Sequence, residues 1–132
     1  MNQGGCEKLL RAVLGNSERG FYPSVIDENG GQLTLPRAME GVFQDPSFHR
    51  AFEQEPMWPW DRYRRLLELR FGLLDGKAYT LEGVAGELHV TRERIRQKET
   101  IALRRLRRHQ ASQILRQFLI LSLEELEAGK QL

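Results

Sequence analysis

The residues whose chemistry most clearly suggests a function are cationic, and they are concentrated between Thr91 and Arg108. This stretch holds eight basic residues against Glu93 and Glu99, a net charge of +6, whereas the whole chain of 132 residues carries only +2. The basic residues are Arg92, Arg94, Arg96, Lys98, Arg104, Arg105, Arg107 and Arg108. A concentrated basic patch attracts nucleic-acid phosphates better than a diffuse excess does. Composition alone also allows a solvated, arginine-rich surface helix.

The spacing of apolar residues in and before this basic stretch predicts two helices. From Leu81 to Leu88 the apolar residues fall at i, i+3, i+4 and i+7, the pattern of one buried helical face. The next two residues leave room only for a sharp turn, and Thr91 offers a hydroxyl N-cap for a second helix that continues to Arg108. Two helices joined in this way form a helix-turn-helix, in which the second helix enters the DNA major groove.

Other kinds of site find little support in the sequence. The single cysteine, Cys6, excludes a disulfide framework and a cysteine-rich metal site within one chain. The three histidines are scattered, so we expect no metal and no cofactor. Serine and aspartate residues show no nucleophile–base spacing, and we expect no enzyme.

The chain carries no pattern typical of a membrane or secreted protein. Its first residues lack a basic segment followed by a long apolar run, and no segment is long enough to span a bilayer. We therefore expect a soluble, cytoplasmic protein with no membrane partner.

The sequence predicts a mainly α protein in which residues 1–58 form a small α/β appendage. A short helix over 7–14 is followed by a possible β-hairpin over 21–35 and by short helices after Pro36 and Asp45. Residues 1–60 carry a net charge of −3 and the remainder +5. We expect DNA to meet only the second part, residues 59–132, which begins with a helix at Trp60.

The segment that follows Arg108 is unusually apolar. Residues 111–119 carry an apolar stripe along one side of a predicted helix, and from there to Leu126 apolar residues cover nearly its whole circumference. A helix of this kind needs a partner surface. That surface is the chain's own core or another chain.

The run from Arg62 to Arg108 resembles region 4 of the primary sigma factors of bacterial RNA polymerase. The parts RFGLLDG, TLEGVA, VTRERIRQ and ALRRLR carry the resemblance, and SQILRQFL continues it weakly. The resemblance covers roughly the C-terminal half of the chain. The first half does not resemble the core-binding or melting regions of a sigma factor.

The resemblance implies a helix that reads promoter DNA. In the family this helix reads the element centred near minus thirty-five. Arg92 matches the position that reads guanine through its O6 and N7 acceptors, Glu93 one that accepts from a cytosine amine, and Gln97 one that reaches a neighbouring base pair. The positions that match phosphate contacts are Arg62, Arg70, the backbone at Leu81, Thr91 and Arg96.

The resemblance also implies RNA polymerase as a partner, because in the family this domain docks on the tip helix of the beta-subunit flap through an apolar groove. The residues that we expect on this polymerase or partner surface are Arg104, Arg107, Ile114 and Phe118. The apolar segment from Ile114 onwards extends that groove, packs on the N-terminal half or forms a homodimer, and the sequence leaves these three open.

Two positions depart from the family pattern. Lys98 stands where an apolar residue is usual, and Ile101 stands where a phosphate-contacting lysine is usual. Repacking explains this exchange as well as altered DNA contact does. Two functions therefore remain open: a sequence-specific DNA-binding transcription initiation factor or regulator, and an interaction protein that binds the polymerase flap or a sigma partner with little DNA affinity.

Overall fold

Seven helices and one two-stranded sheet make up the described part of the chain, residues 4–15, 20–53 and 57–120 of a computed structural model. In chain order the elements are α1 (Gly4–Leu14), β1 (Ser24–Ile26), β2 (Gln32–Thr34), α2 (Leu35–Phe43), α3 (Pro46–Arg50), α4 (Trp60–Arg70), α5 (Leu81–Leu88), α6 (Arg92–Arg108) and α7 (Ala111–Arg116). The mainly helical fold class with a small N-terminal sheet is confirmed.

The predicted hairpin is present, with strands shorter than expected. β1 and β2 pair antiparallel, with Val25 opposite Leu33. The turn is fixed by Asp27, whose Oδ1 accepts hydrogen bonds from the backbone N–H groups of Asn29 at 2.9 Å and Gly31 at 2.8 Å. Phe21 does not extend β1, because it forms an isolated antiparallel bridge with Leu119 near the end of the described chain.

The helix starts follow their capping residues. The predicted start of α3 is confirmed: Oδ1 of Asp45 accepts a hydrogen bond from the Ser47 N–H at 2.9 Å, and this bond lowers the pKa of the carboxyl. Helix α1 begins three residues earlier than the predicted Glu7. The added turn carries Gly5, which is buried against the backbone of Phe71.

The buried apolar side chains form one cluster to which both predicted parts of the chain contribute. Residues before the expected boundary, such as Leu9 and Met39, belong to the same cluster as Leu66, Ile95 and Leu106. Helix α1 packs against α6 and α7, and α2 packs against α7. The division at residue 58 stays a prediction about organisation, and within the described residues the two parts share one core.

Within residues 4–15, 20–53 and 57–120, no helix is both long and apolar enough to cross a membrane. The apolar residues from Leu121 onwards, which the sequence predicts as part of a partner surface, lie outside the described residues.

Candidate nucleic-acid interface

Helices α5 and α6 each begin at a threonine N-cap, and the turn between them runs from His89 to Thr91. Oγ1 of Thr80 accepts a hydrogen bond from the Gly83 N–H at 3.0 Å, and Oγ1 of Thr91 accepts one from the Arg94 N–H at 3.1 Å. His89 ends α5 in the left-handed conformation, with φ 58° and ψ 43°. Glycine is the usual residue at such a position, and here a histidine takes it at the point where the sequence predicts a sharp turn. The predicted helix-turn-helix and the Thr91 cap are confirmed.

Arg62 fixes the end of α5 relative to α4. Its Nη2 donates a hydrogen bond to the Leu88 carbonyl at 3.0 Å, and its guanidinium lies 4.7 Å from the centre of the Trp58 ring. This bond satisfies one of the carbonyls that the last turn of a helix leaves without an intrahelical partner. Arg62 is therefore a structural link to the turn as well as a predicted phosphate contact.

The three predicted base-reading residues all lie on the exposed side of α6. Arg92 and Glu93 occupy its first turn and Gln97 its second, and all three are exposed. The opposite face is buried, with Ile95, Ala102 and Leu106 in the core. Nε of Arg92 lies 3.9 Å from Oε1 of Glu82 in a solvent-exposed ion pair, which leaves the guanidinium accessible.

Glu93 and Arg96 form an ion pair on this exposed surface. Nη2 of Arg96 donates to Oε1 of Glu93 at 2.6 Å, and Nε of Arg96 donates to Oε2 at 2.9 Å. These hydrogen bonds are the main reason why the pKa of the Glu93 carboxyl is lowered. The carboxylate is therefore charged and held in one direction, while Arg96, a predicted phosphate contact, is the group that holds it.

Thr91 and Leu81 lie at the two helix starts, where backbone N–H groups lack intrahelical partners. Such N–H groups suit an anion, so both positions fit the predicted phosphate contacts.

Arg70 differs from expectation. Its side chain is only 13% exposed, its Nε lies 3.2 Å from Oε2 of Glu99, and its Nη1 donates to the Tyr79 carbonyl at 2.9 Å. Arg70 thus connects α4 to α6 and to the loop before α5. Because the side chain is largely buried and two of its donors serve internal bonds, we do not include Arg70 in the DNA surface.

Phe118 also differs from expectation, because the predicted partner residue is fully buried in the core. Ile114 is half-buried and Arg104 is exposed. Arg107 is exposed but donates from Nη1 to the Ala12 carbonyl of α1 at 3.0 Å. The predicted partner surface therefore keeps Arg104, Arg107 and Ile114 and loses Phe118.

Lys98, which the sequence places in the basic patch of α6, is buried. Its side chain is 3% exposed, and its Nζ lies 5.6 Å from the centre of the Trp58 ring and 5.9 Å from that of Tyr63. Of the two explanations for the Lys98 departure, the geometry favours repacking. A lysine at this point of a buried stripe, i+3 from Ile95 and i−4 from Ala102, was the available signal.

Comparison with known proteins identifies the segment that contains this surface. The family model described as sigma-70, region 4 matches residues 61–108. RNA polymerase sigma factor SigA of Clostridium acetobutylicum is 55% identical over 58 residues, covering 44% of this chain and 15% of the relative. The same-named protein of Lactococcus lactis subsp. cremoris is 49% identical over 59 residues, covering 45% and 16%.

A third relative extends the match into the first half. RNA polymerase sigma factor SigA4 of Synechococcus elongatus is 33% identical over 107 residues, covering 77% of this chain and 31% of the relative. Since 77% of 132 residues is about 102 and only 72 follow Trp60, about 30 or more aligned residues precede Asp61.

The chain thus spans less than a third of the length of each of these relatives. No solved structure matches it significantly. Residues 61–108, which carry the helix-turn-helix and its exposed basic helix, belong to the sigma-70 region 4 family.

Proposed function

We propose that the chain is a sequence-specific, DNA-binding transcription initiation factor or regulator that reads a minus-thirty-five-type promoter element. The observation that carries this proposal is the exposure of Arg92, Glu93 and Gln97 on the first two turns of α6, directly after the capped turn of a helix-turn-helix. These are the turns that a recognition helix presents to base edges. The module is not an enzyme: sigma region 4 works by binding.

Each of the three side chains has a matching base-edge chemistry. The guanidinium fork of Arg92 fits the O6 and N7 acceptors of guanine, and the ionised carboxylate of Glu93 accepts from the cytosine amine. The amide of Gln97 both donates and accepts, which suits a neighbouring base pair. The lowered pKa of Glu93 supports this role, because only the ionised carboxylate is a pure acceptor.

Phosphate contacts come from the edges of the same surface. Arg96 and the exposed Arg94 add charge beside the base-reading residues, while Thr91 and the backbone at Leu81 lie at helix starts. Arg62 contributes from the side of the turn. With Arg70 and Lys98 inside the protein, this surface has fewer cations than the sequence predicts, so we expect modest affinity that falls with salt.

We also propose that the chain works with RNA polymerase in the cytoplasm, through a surface that includes Arg104, Arg107 and Ile114. Sigma factors are the relatives that support this partner. The beta flap is the polymerase element that we expect it to meet. Homodimerisation through the segment that follows α7 stays a prediction, because residues 121–132 lie outside the described chain.

The test is fluorescence anisotropy of the full chain on a duplex with the minus-thirty-five consensus and on a scrambled duplex, at low and moderate salt. We expect tighter binding to the consensus, and Arg92→Ala to cost about 1–3 kcal/mol on that duplex while relaxing the preference at one base pair. Arg116→Ala on α7 is the matched control, because it removes the same charge from an exposed position outside α6. An equal loss on both duplexes would exclude base reading by Arg92.

A second function is favoured by the internal positions of Arg70 and Lys98, which leave fewer phosphate contacts. In this alternative the chain is an interaction factor that binds the polymerase flap or a sigma partner with little DNA affinity. It predicts no preference for the consensus even at low salt, together with retention of the chain by an immobilised flap domain.

A further inference from the structure

An open cavity of about 430 Å³ lies at the C-terminal end of α6, at the opposite end of the helix from the base-reading residues. Its lining residues are Ala51, Ile101, Arg104, Arg105, Arg108 and His109. Three of the six are arginines, and Ala51, Ile101 and His109 form the remaining walls.

The three arginines are not neutralised within the described chain. Arg104 and Arg108 are four residues apart on a helix, where like charges destabilise each other. Among residues 4–15, 20–53 and 57–120, no carboxylate lies within ion-pair distance of Arg104, Arg105 or Arg108. The arrangement therefore has a local electrostatic cost that a bound anion would offset.

Arg105 supplies an independent observation. Its Nε is buried and has no hydrogen-bond partner among the described residues, while its guanidinium lies over the Phe52 ring, 5.3 Å from the centroid. A buried N–H without an acceptor is costly, and it is rare in folded proteins. The ring contact holds the guanidinium in place, and Arg105 lines the cavity, so an anion there would lie beside a guanidinium whose Nε–H has no acceptor of its own.

His109 forms a fixed wall of the cavity. Its Nδ1 accepts a hydrogen bond from the Ala111 N–H at 3.0 Å, which places the proton of the neutral ring on Nε2. Nε2 lies 2.8 Å from Oγ of Ser47 and 3.6 Å from Oδ2 of Asp45. Both ring nitrogens are therefore used, and Asp45 faces the imidazole.

We propose that this cavity binds a phosphate monoester dianion, held by the guanidinium groups of Arg104, Arg105 and Arg108. Guanidinium forks match the oxygens of phosphate, and a dianion offsets more of the local positive charge than a diester monoanion does. Sixteen residues of helix separate Arg92 from Arg108 by about 24 Å, so the cavity does not reach the DNA phosphates that lie beside Arg92. The proposal does not depend on DNA binding.

The test uses inorganic phosphate as the probe and NMR of the ¹⁵N-labelled full chain at slightly alkaline pH, where the probe is mainly a dianion. Ionic strength is held constant with sodium chloride. We expect the Arg105 Nε–H resonance and the amides near Arg108 to shift and to saturate. Dimethyl phosphate, a diester, is the second probe and should bind at least about fivefold more weakly because it carries half the charge.

Two variants test the residues, and one controls for charge. Arg105→Lys keeps the charge but lacks the planar fork and its Nε–H, and Arg108→Gln removes an exposed arginine; each should weaken phosphate binding by about tenfold. Arg116→Ala should change it by less than about twofold, because that arginine does not line the cavity. Shifts that chloride reproduces, equal binding of the diester, or an equal effect of all three variants would overturn the proposal.

Discussion

The guanidinium of Arg96 donates two hydrogen bonds to the carboxylate of Glu93, at 2.6 and 2.9 Å, one turn apart on the exposed face of α6. One proposed phosphate contact therefore holds one proposed base reader. The two roles are compatible, because a carboxylate offers about four lone-pair sites and a guanidinium has five N–H donors. The pair orders Glu93 before DNA arrives, which reduces the side-chain ordering that binding requires.

The first prediction concerns the pKa of Glu93. In Arg96→Gln the carboxyl loses the main cause of its lowered pKa, so we expect the pKa to rise towards its ordinary value. A ¹³C NMR titration of the Glu93 side chain measures this. Because the folded-state pKa is lowered, any stabilisation by the pair is present above the ordinary pKa and disappears as pH falls through the lowered one. Arg94→Gln should leave the Glu93 pKa in place, and an unchanged pKa in Arg96→Gln would contradict the assignment.

The second prediction concerns the N-cap of α6. Thr91→Ala removes the acceptor for the Arg94 N–H and should lower the free energy of unfolding by about 1 kcal/mol. Thr91→Ser keeps a hydroxyl acceptor, so most of this stabilisation should remain. Urea unfolding followed by circular dichroism measures both. Thr100→Ala is the control, since its hydroxyl bonds back to the Arg96 carbonyl in mid-helix and its loss should cost little. Equal effects at both threonines would mean that Thr91 does not act as a cap.

The helix-turn-helix was predictable because its determinants are local. Periodicity fixes α5 and α6, and Thr91 marks the boundary between the turn and the helix. The position of Lys98 in the stripe of Ile95 and Ala102 indicates its burial, but the sequence does not show what covers it, because the Trp58 ring is brought across the helix by the chain before α4. Arg70 is a similar case, since its partner Glu99 lies 29 residues away and is brought near only by packing of α4 on α6. The exposure of a basic side chain is therefore harder to infer from sequence when its partners are distant in the chain than when it lies on the exposed side of one helix, as Arg92 does.

The third prediction separates packing from DNA contact at Lys98. Lys98→Ala removes the aliphatic stem from beneath Trp58 and Tyr63 and should lower the free energy of unfolding by about 1–3 kcal/mol, with Lys98→Met costing less. Because the side chain is buried, Lys98→Met should change DNA affinity by less than about twofold. Anisotropy at low salt measures this beside Arg94→Met, which removes an exposed charge of α6 and should weaken binding more. If the two methionine variants lose the same affinity, Lys98 contacts DNA after all.

The last prediction tests whether the first helix belongs to the same cooperative unit as α6. A Cβ at Gly5 would lie 2.5 Å from the Phe71 carbonyl oxygen, which is backbone and has little freedom to move, so Gly5→Ala must displace α1. We expect a loss of about 1–3 kcal/mol and faster hydrogen exchange of the α6 amides, because α1 packs directly on α6. Gly41→Ala is the matched helical control: nothing lies within 4 Å of its Cβ, and it should stabilise by up to about 1 kcal/mol. Exchange of α6 that stays unchanged in Gly5→Ala, while α1 amides open, would mean that the two parts unfold independently.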